Sequence, residues 1–405
     1  MGVRPERGRV TGRRLGLGRP APGAAAGSRH ASGRRARALP TGVLLAVAVA
    51  AAVAVGAALA ASGHDVGAVL GSSGPPAPPP PLPRTRLVSL PPRTIVNGTD
   101  ALAVTLSAPP AASSPRPIVR PAVAGTWSTV GNTELFTPAA TLAPCSTYTL
   151  TVWAHTFATG HSPLGRRRVV TLTVRCPPIT GLQQGLARLG YLGARLRPRY
   201  RVHIPAGPES RRQAAQHAFH PPRGRLAPDP ADAPPVEAGR LDETTKGALE
   251  VFQADHDLAA TGEPNAATWE KLLTVESLYH RNPEPYTWVS VSEAIPETLE
   301  VHRGHRVALS SPTNTGVPGA ETALGIFPIY ARYVATTMSG TNPDGSKYSD
   351  PGVPWVNYFN GGDAVHGFVR PSYGSPQSNG CVELPVATAA SVYPLLQIGD
   401  IVWVR

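Results

Sequence analysis

Near its C-terminus the chain reads His366-Gly367 and then Ser378-Asn379-Gly380-Cys381-Val382-Glu383-Leu384, with fourteen residues between His366 and Cys381. Cysteine forms a nucleophilic thiolate at modest pKa, and a neighbouring imidazole lowers that pKa further. Gly367 removes side-chain bulk where a backbone must approach, and Gly380 does the same directly before the cysteine. Backbone N–H groups around Gly380 and Cys381 are candidates to face a developing oxyanion. Taken singly, Cys381 reads as a small buried hydrophobe and His366 as a structural histidine. Their spacing moves both toward chemistry.

Around this pair, residues 286–405 read as a compact, mostly-β domain. Thr298–His302 and Arg306–Ser311 flank Arg303-Gly304-His305 as a hairpin, and Gly399-Asp400 precedes a terminal strand over Ile401–Val404. Arg281-Asn282-Pro283-Glu284-Pro285 marks its upstream boundary.

Residues 178–275 carry helical spacing: Leu182, Leu186 and Leu189, then Ala248, Val251 and Phe252, then Trp269, Leu272 and Leu273. Three short amphipathic helices are expected, with cap residues from Asp242 to Thr245 and at Asn265. An insertion at about 193–238 is rich in Pro, Arg, Ala and His and reads as a solvated loop. A sharper reading makes Arg195, Arg197, Arg199, Arg201, Arg211 and Arg212 a cationic contact to an anionic polymer. His203, His217 and His220 lack a metal-ligand spacing, so no metal is assigned.

Upstream, residues 86–177 alternate short Val, Thr, Leu and Tyr runs with turn residues, which predicts an all-β sandwich with strands at Ala101–Leu106, Leu135–Phe136, Tyr148–Trp153 and Val169–Val174. Residues 63–85 include Pro75-Pro76-Ala77-Pro78-Pro79-Pro80-Pro81 and read as an extended linker. Val43–Ala61 contains only Ala, Val, Leu and Gly, so 41–62 is expected to be a transmembrane helix, or a cleaved signal peptide given the Ala58-Leu59-Ala60 spacing. A buried helix of a cytoplasmic protein is the third alternative. The preceding arm, residues 1–40, holds ten arginines against Glu6, which is +9 of the formal +12. That asymmetry holds the arm in the cytoplasm and exports the remainder. It also argues against a nucleic-acid partner, since the rest of the chain is close to neutral.

Three resemblances follow from these segments. Gly125-Thr126-Trp127, Phe136-Thr137-Pro138 and Thr147–Val152 are similar to bacterial Ig-like domains. Leu189-Gly190-Tyr191-Leu192, Thr261-Gly262 and Asn265–Trp269 resemble the three-helix peptidoglycan-binding domain. His366-Gly367 with Ser378-x-Gly380-Cys381-Val382 resembles the signature of L,D-transpeptidases of the YkuD fold, supported by Thr322–Phe327 and Val353–Phe359. Asn379, Glu383 and Ala323 depart from that family's commoner residues. The order, histidine before cysteine, also departs from papain-like peptidases.

The YkuD resemblance implies peptidoglycan cross-linking, with Cys381 as nucleophile, His366 as base, the Gly367 carbonyl as its orienter and a Gly380 N–H in the oxyanion hole. Tyr358, Ser378 and Asn379 are expected to bind substrate, no cofactor is expected, and the protein is expected to act as a monomer. Alternatives are an L,D-carboxypeptidase, a wall-attachment acyltransferase, or a non-catalytic peptidoglycan-binding surface protein. Cys145 and Cys176 lie at the ends of the last strands of the sandwich segment, where a disulfide is expected in an exported chain and two unpaired thiols are the alternative. The expected location is the cell membrane, single-pass, with the catalytic domain on the wall side.

Overall fold

The computed structural model describes residues 78–95, 97–197 and 208–405. The basic arm, the apolar stretch 41–62, most of the proline-rich linker and Arg199, Arg201 and His203 lie outside the described residues. Among the described residues no helix is long and apolar enough to cross a membrane. The elements below belong to one compact unit that begins at residue 77.

The first layer pair is built from β1 (Leu87–Ser89), β2 (Thr94–Ile95), β3 (Leu102–Leu106), β4 (Ile118–Arg120), β5 (Gly125–Val130), β6 (Thr133–Pro138), β7 (Thr147–Val152) and β8 (Arg168–Val174). They form two four-stranded sheets, ordered β1-β3-β6-β5 and β2-β8-β7-β4. Alternate residues enter one shared core: Leu102, Val104 and Leu106 from β3, Tyr148, Leu150 and Val152 from β7, and Leu172 and Val174 from β8. This period of two is what strands with one buried face require. Cys145, just before β7, and Cys176, just after β8, form a disulfide.

Next come α1 (Ile179–Leu189), β9 (Ala194–Arg197), α2 (Pro208–Phe219), β10 (Arg225–Pro228), α3 (Glu243–Asp255) and α4 (Ala266–Leu278). Asp242 Oδ1 accepts from the Thr245 N–H at 2.9 Å and Asn265 Oδ1 from the Thr268 N–H at 3.0 Å. Each satisfies a free first-turn donor, a contribution of about 1 kcal/mol. The insertion differs from the solvated loop expected for it. Within it α2 packs on α1 and α4, with Ala214, Ala215 and Ala218 in the helical core, while β9 and β10 pair antiparallel. A Cβ at Gly181 of α1 would lie 2.2 Å from the Ala218 carbonyl oxygen, so only glycine permits this approach. Two of the arginines offered as cationic contacts are spent internally: Arg211 binds Glu270 at 2.7 Å and Arg195 lies 3.7 Å from Asp229.

The C-terminal part contains β11 (Thr287–Ser292), β12 (Thr298–Arg303), β13 (Arg306–Pro312), β14 (Gly325–Pro328), β15 (Ala331–Thr341), β16 (Lys347–Asn360), β17 (Asp363–Gly367), β18 (Val382–Leu384), α5 (Val386–Val392) and β19 (Ile401–Val404). One sheet has the order β13-β12-β11-β19-β14 and the other β15-β16-β17-β18. Val289, Val291, Val402 and Val404 of the first sheet pack with Val365, Val382 and Leu384 of the second and with Ala389 and Val392 of α5. The helical part leans directly on this body. A Cβ at Gly247 of α3 would stand 2.3 Å from the carbonyl oxygen of Gly399, which immediately precedes Asp400 and β19.

Candidate active site

The parallel pair β17 and β18 aligns Val365 with Val382, His366 with Glu383 and Gly367 with Leu384. Val365, Val382 and Leu384 enter the core between the sheets, so strand alternation sends Ala364, His366 and Glu383 to the opposite face. Cys381, immediately before β18, packs with Ala364 and Val356 on that face. Two residues with fourteen others between them in sequence thereby share one face of the sheet.

His366 is buried, and its Nδ1 lies 3.1 Å from the Gly367 carbonyl oxygen. A carbonyl only accepts, so Nδ1 carries the proton and Nε2 offers a lone pair. Burial pushes the imidazole pKa down; the Gly367 carbonyl and the Glu383 carboxylate act against that, and Arg370 adds to it. Cys381 is free and partly exposed, with Sγ 3.8 Å from the Gly362 carbonyl oxygen. Desolvation pushes its thiol up to about 12, an Ala364 backbone hydrogen bond opposes this, and the Asp363 and Glu383 carboxylates add to it. The partial exposure lets water reach the sulfur and solvate a thiolate, which argues for a value below the fully desolvated one. Among the described residues no hydrogen bond joins thiol to imidazole. The resting groups on this face are a neutral thiol and a neutral imidazole.

The loop before Cys381 is held from within. Ser378 is buried, and its Oγ donates to the Cys381 carbonyl at 2.6 Å while accepting from the Gly380 N–H at 3.2 Å. Ser378, expected at the substrate, thus braces the loop, and the Gly380 N–H, expected at an oxyanion, is engaged by the Ser378 hydroxyl. Gly380 has φ +107°, and a Cβ there would meet Asp363 Oδ1 at 2.5 Å, so glycine is required on both counts. Asn379, also expected at the substrate, donates through Nδ2 to Asn342 Oδ1 at 2.6 Å, tying the loop to the turn between β15 and β16.

Tyr358 on β16 is a neighbour of Cys381: burial first, then the thiol and the hydroxyls of Tyr330, Tyr333 and Tyr348, push its phenol up to about 12. Tyr330 and Tyr333 stand 6.1 and 6.0 Å from it, ring to ring, and both are exposed. An aromatic wall therefore flanks the sulfur. Two residues had no signal in the sequence. Asp363, with its carboxyl pushed up to about 6 by burial, faces Gly380 and Cys381 from the start of β17. Arg370 binds Glu383 through Nε and Nη2, both at 2.7 Å. A lone Asp after a Gly361-Gly362 turn and a lone Arg in a loop carry no pattern of their own.

With this geometry in place, comparison with known proteins gives a consistent answer. Residues 285–404 match the family model of the YkuD L,D-transpeptidase catalytic domain, and residues 224–272 match that of a peptidoglycan binding domain. No curated protein sequence matches the chain. Among solved structures, a mutant L,D-transpeptidase of Enterococcus faecium is 22% identical, covering 31% of this chain and 52% of its own, at a TM-score of 0.28. An L,D-transpeptidase from Mycobacterium smegmatis is 13% identical over 79% of this chain and 99% of its own, at 0.27. L,D-transpeptidase 3 from Mycobacterium tuberculosis is 14% identical over 79% and 98%, also at 0.27. The match thus spans about half the length of the enterococcal protein. Domain identity comes from the family models: the chain carries an L,D-transpeptidase catalytic domain at residues 285–404, preceded by a peptidoglycan-binding domain.

Proposed function

We propose that the protein cross-links peptidoglycan stem peptides as a cysteine-dependent L,D-transpeptidase. The observation that carries this reading is the parallel register of β17 and β18, which puts an imidazole whose Nε2 bears the lone pair on the same sheet face as the partly exposed thiol inside the matched catalytic domain.

Cys381 attacks the carbonyl of the third, diamino residue of a donor tetrapeptide. His366 Nε2 takes the thiol proton and returns it to the departing amine, so D-alanine leaves and a thioester remains. The side-chain amine of a neighbouring stem then attacks the thioester, giving up a proton to His366 and restoring the thiol. Tyr330, Tyr333 and Tyr358 supply a wall along which an extended peptide is oriented. The peptidoglycan-binding domain holds the substrate polymer nearby, and the two-sheet module acts as an Ig-like spacer. The apolar stretch 41–62 anchors the chain in the membrane, with the catalytic domain on the wall side.

Intact-protein mass spectrometry with a tetrapeptide donor tests the core of this. The wild-type chain gains the mass of the donor minus D-alanine, and Cys381→Ala gains nothing. An adduct of equal yield on Cys381→Ala removes the assignment.

A further inference from the structure

Glu383 is 4% exposed, sits directly across the strand pair from His366, and is held at both carboxylate oxygens by one guanidinium. We propose that Arg370 and Glu383 are a positioning pair for His366: the carboxylate stabilises the imidazolium that forms as the thiol loses its proton, and the guanidinium offsets that carboxylate so the resting imidazole stays neutral. This rests on the reading of His366 as the base.

The geometry fixes both partners. The Glu383 backbone pairs with β17 on one side and exchanges hydrogen bonds with Asn314 on the other, at 3.0 and 2.9 Å. The Arg370 N–H donates to Tyr373 Oη at 3.2 Å, that hydroxyl donates to the Phe368 carbonyl at 2.5 Å, and the guanidinium lies 4.8 Å over the Phe368 ring. The same ring stands edge-on to His366 at 6.0 Å. The charged or titratable groups acting on the imidazole are Glu383 from β18, Arg370 from the loop that follows β17 and Asp350 from β16. Glu383 and Asp350 favour the charged imidazole and Arg370 opposes it. A buried carboxylate alone would hold a proton on the base permanently; a lone guanidinium would deny it one. The pair exchanges no proton with substrate, and the thiol proton travels only to Nε2.

The test is a pH titration of histidine-labelled full chain by NMR, with the His366 signal assigned by its loss in His366→Asn. Glu383→Gln is expected to move the His366 midpoint to lower pH and Arg370→Gln to higher pH. The double variant, which retains neutral side chains of similar shape, is expected to return toward wild type and remains informative if Arg370→Gln alone fails to fold. Midpoints that stay put, or that move in the same direction in both single variants, overturn the proposal. Donor acylation is read by mass on the same samples. Opposed midpoint shifts without any acyl-enzyme keep the pair's role and remove only the transpeptidase reading.

Discussion

His366 is buried and neutral at rest, and in the proposed role of base it works only while it is unprotonated. Because burial lowers its pKa from the ordinary 6.5, the protonated, inactive form dominates only below that value. Activity should therefore rise with pH along an acid limb centred below 6.5, measured as kcat/KM for D-alanine release; a limb centred at or above 6.5 contradicts the buried neutral base. The sign follows for stability too. The unfolded imidazole binds a proton more readily than the folded one, so this residue's contribution is fully present above its unfolded pKa and is lost as pH falls from there through the lower folded-state pKa. The placement of His366, Gly367 and Cys381 in one strand pair was legible as a pattern, and the structure puts His366 and Gly367 on β17 with Cys381 directly before β18. Ser378 and Gly380 were legible as important but not in what they do, since which N–H a hydroxyl satisfies is decided by loop geometry.

Among the elements, those with strong alternation or strong helical period were readable: β3, β7, β8, α1, α3 and α4 all bury large apolar side chains. The two-residue β2 and three-residue β4 are too short to show a period. Helix α2 was missed for a different reason. Its buried residues include Ala214, Ala215, Ala218 and Ser210, small side chains that leave no large apolar stripe, and its neighbours in sequence are Pro, Arg and His. The β15–β16 hairpin escaped because much of it is exposed and polar. The disulfide belongs to this scale as well, since it clamps the outer ends of β7 and β8 across a separation of 31 residues. Replacing both Cys145 and Cys176 by Ala should cost about 2–4 kcal/mol of unfolding free energy. Urea denaturation measures it, and acylation of Cys381 at 25 °C should be unchanged, because the bridge lies in another module.

For the molecule as a whole, the contact of Gly247 with Gly399 brings the helical and catalytic parts together at the backbone, beside side-chain packing of Ala233 with Trp288 and Ile401. Gly247→Leu should separate them. Calorimetry is expected to show a lowered Tm with the single transition split in two, whereas an unchanged trace would mean that the contact is dispensable. Chain path has its own consequence. Strands lying parallel, as β17 and β18 do, cannot be joined by a tight turn, because the chain must return to the starting end before it can run alongside itself again. The fourteen residues from His366 to Cys381 are that return journey, so the spacing is a ruler. Removing one residue from it would either stretch the path or slip β18 by one position. A slip would turn Cys381 into the core and present Val382 to the substrate.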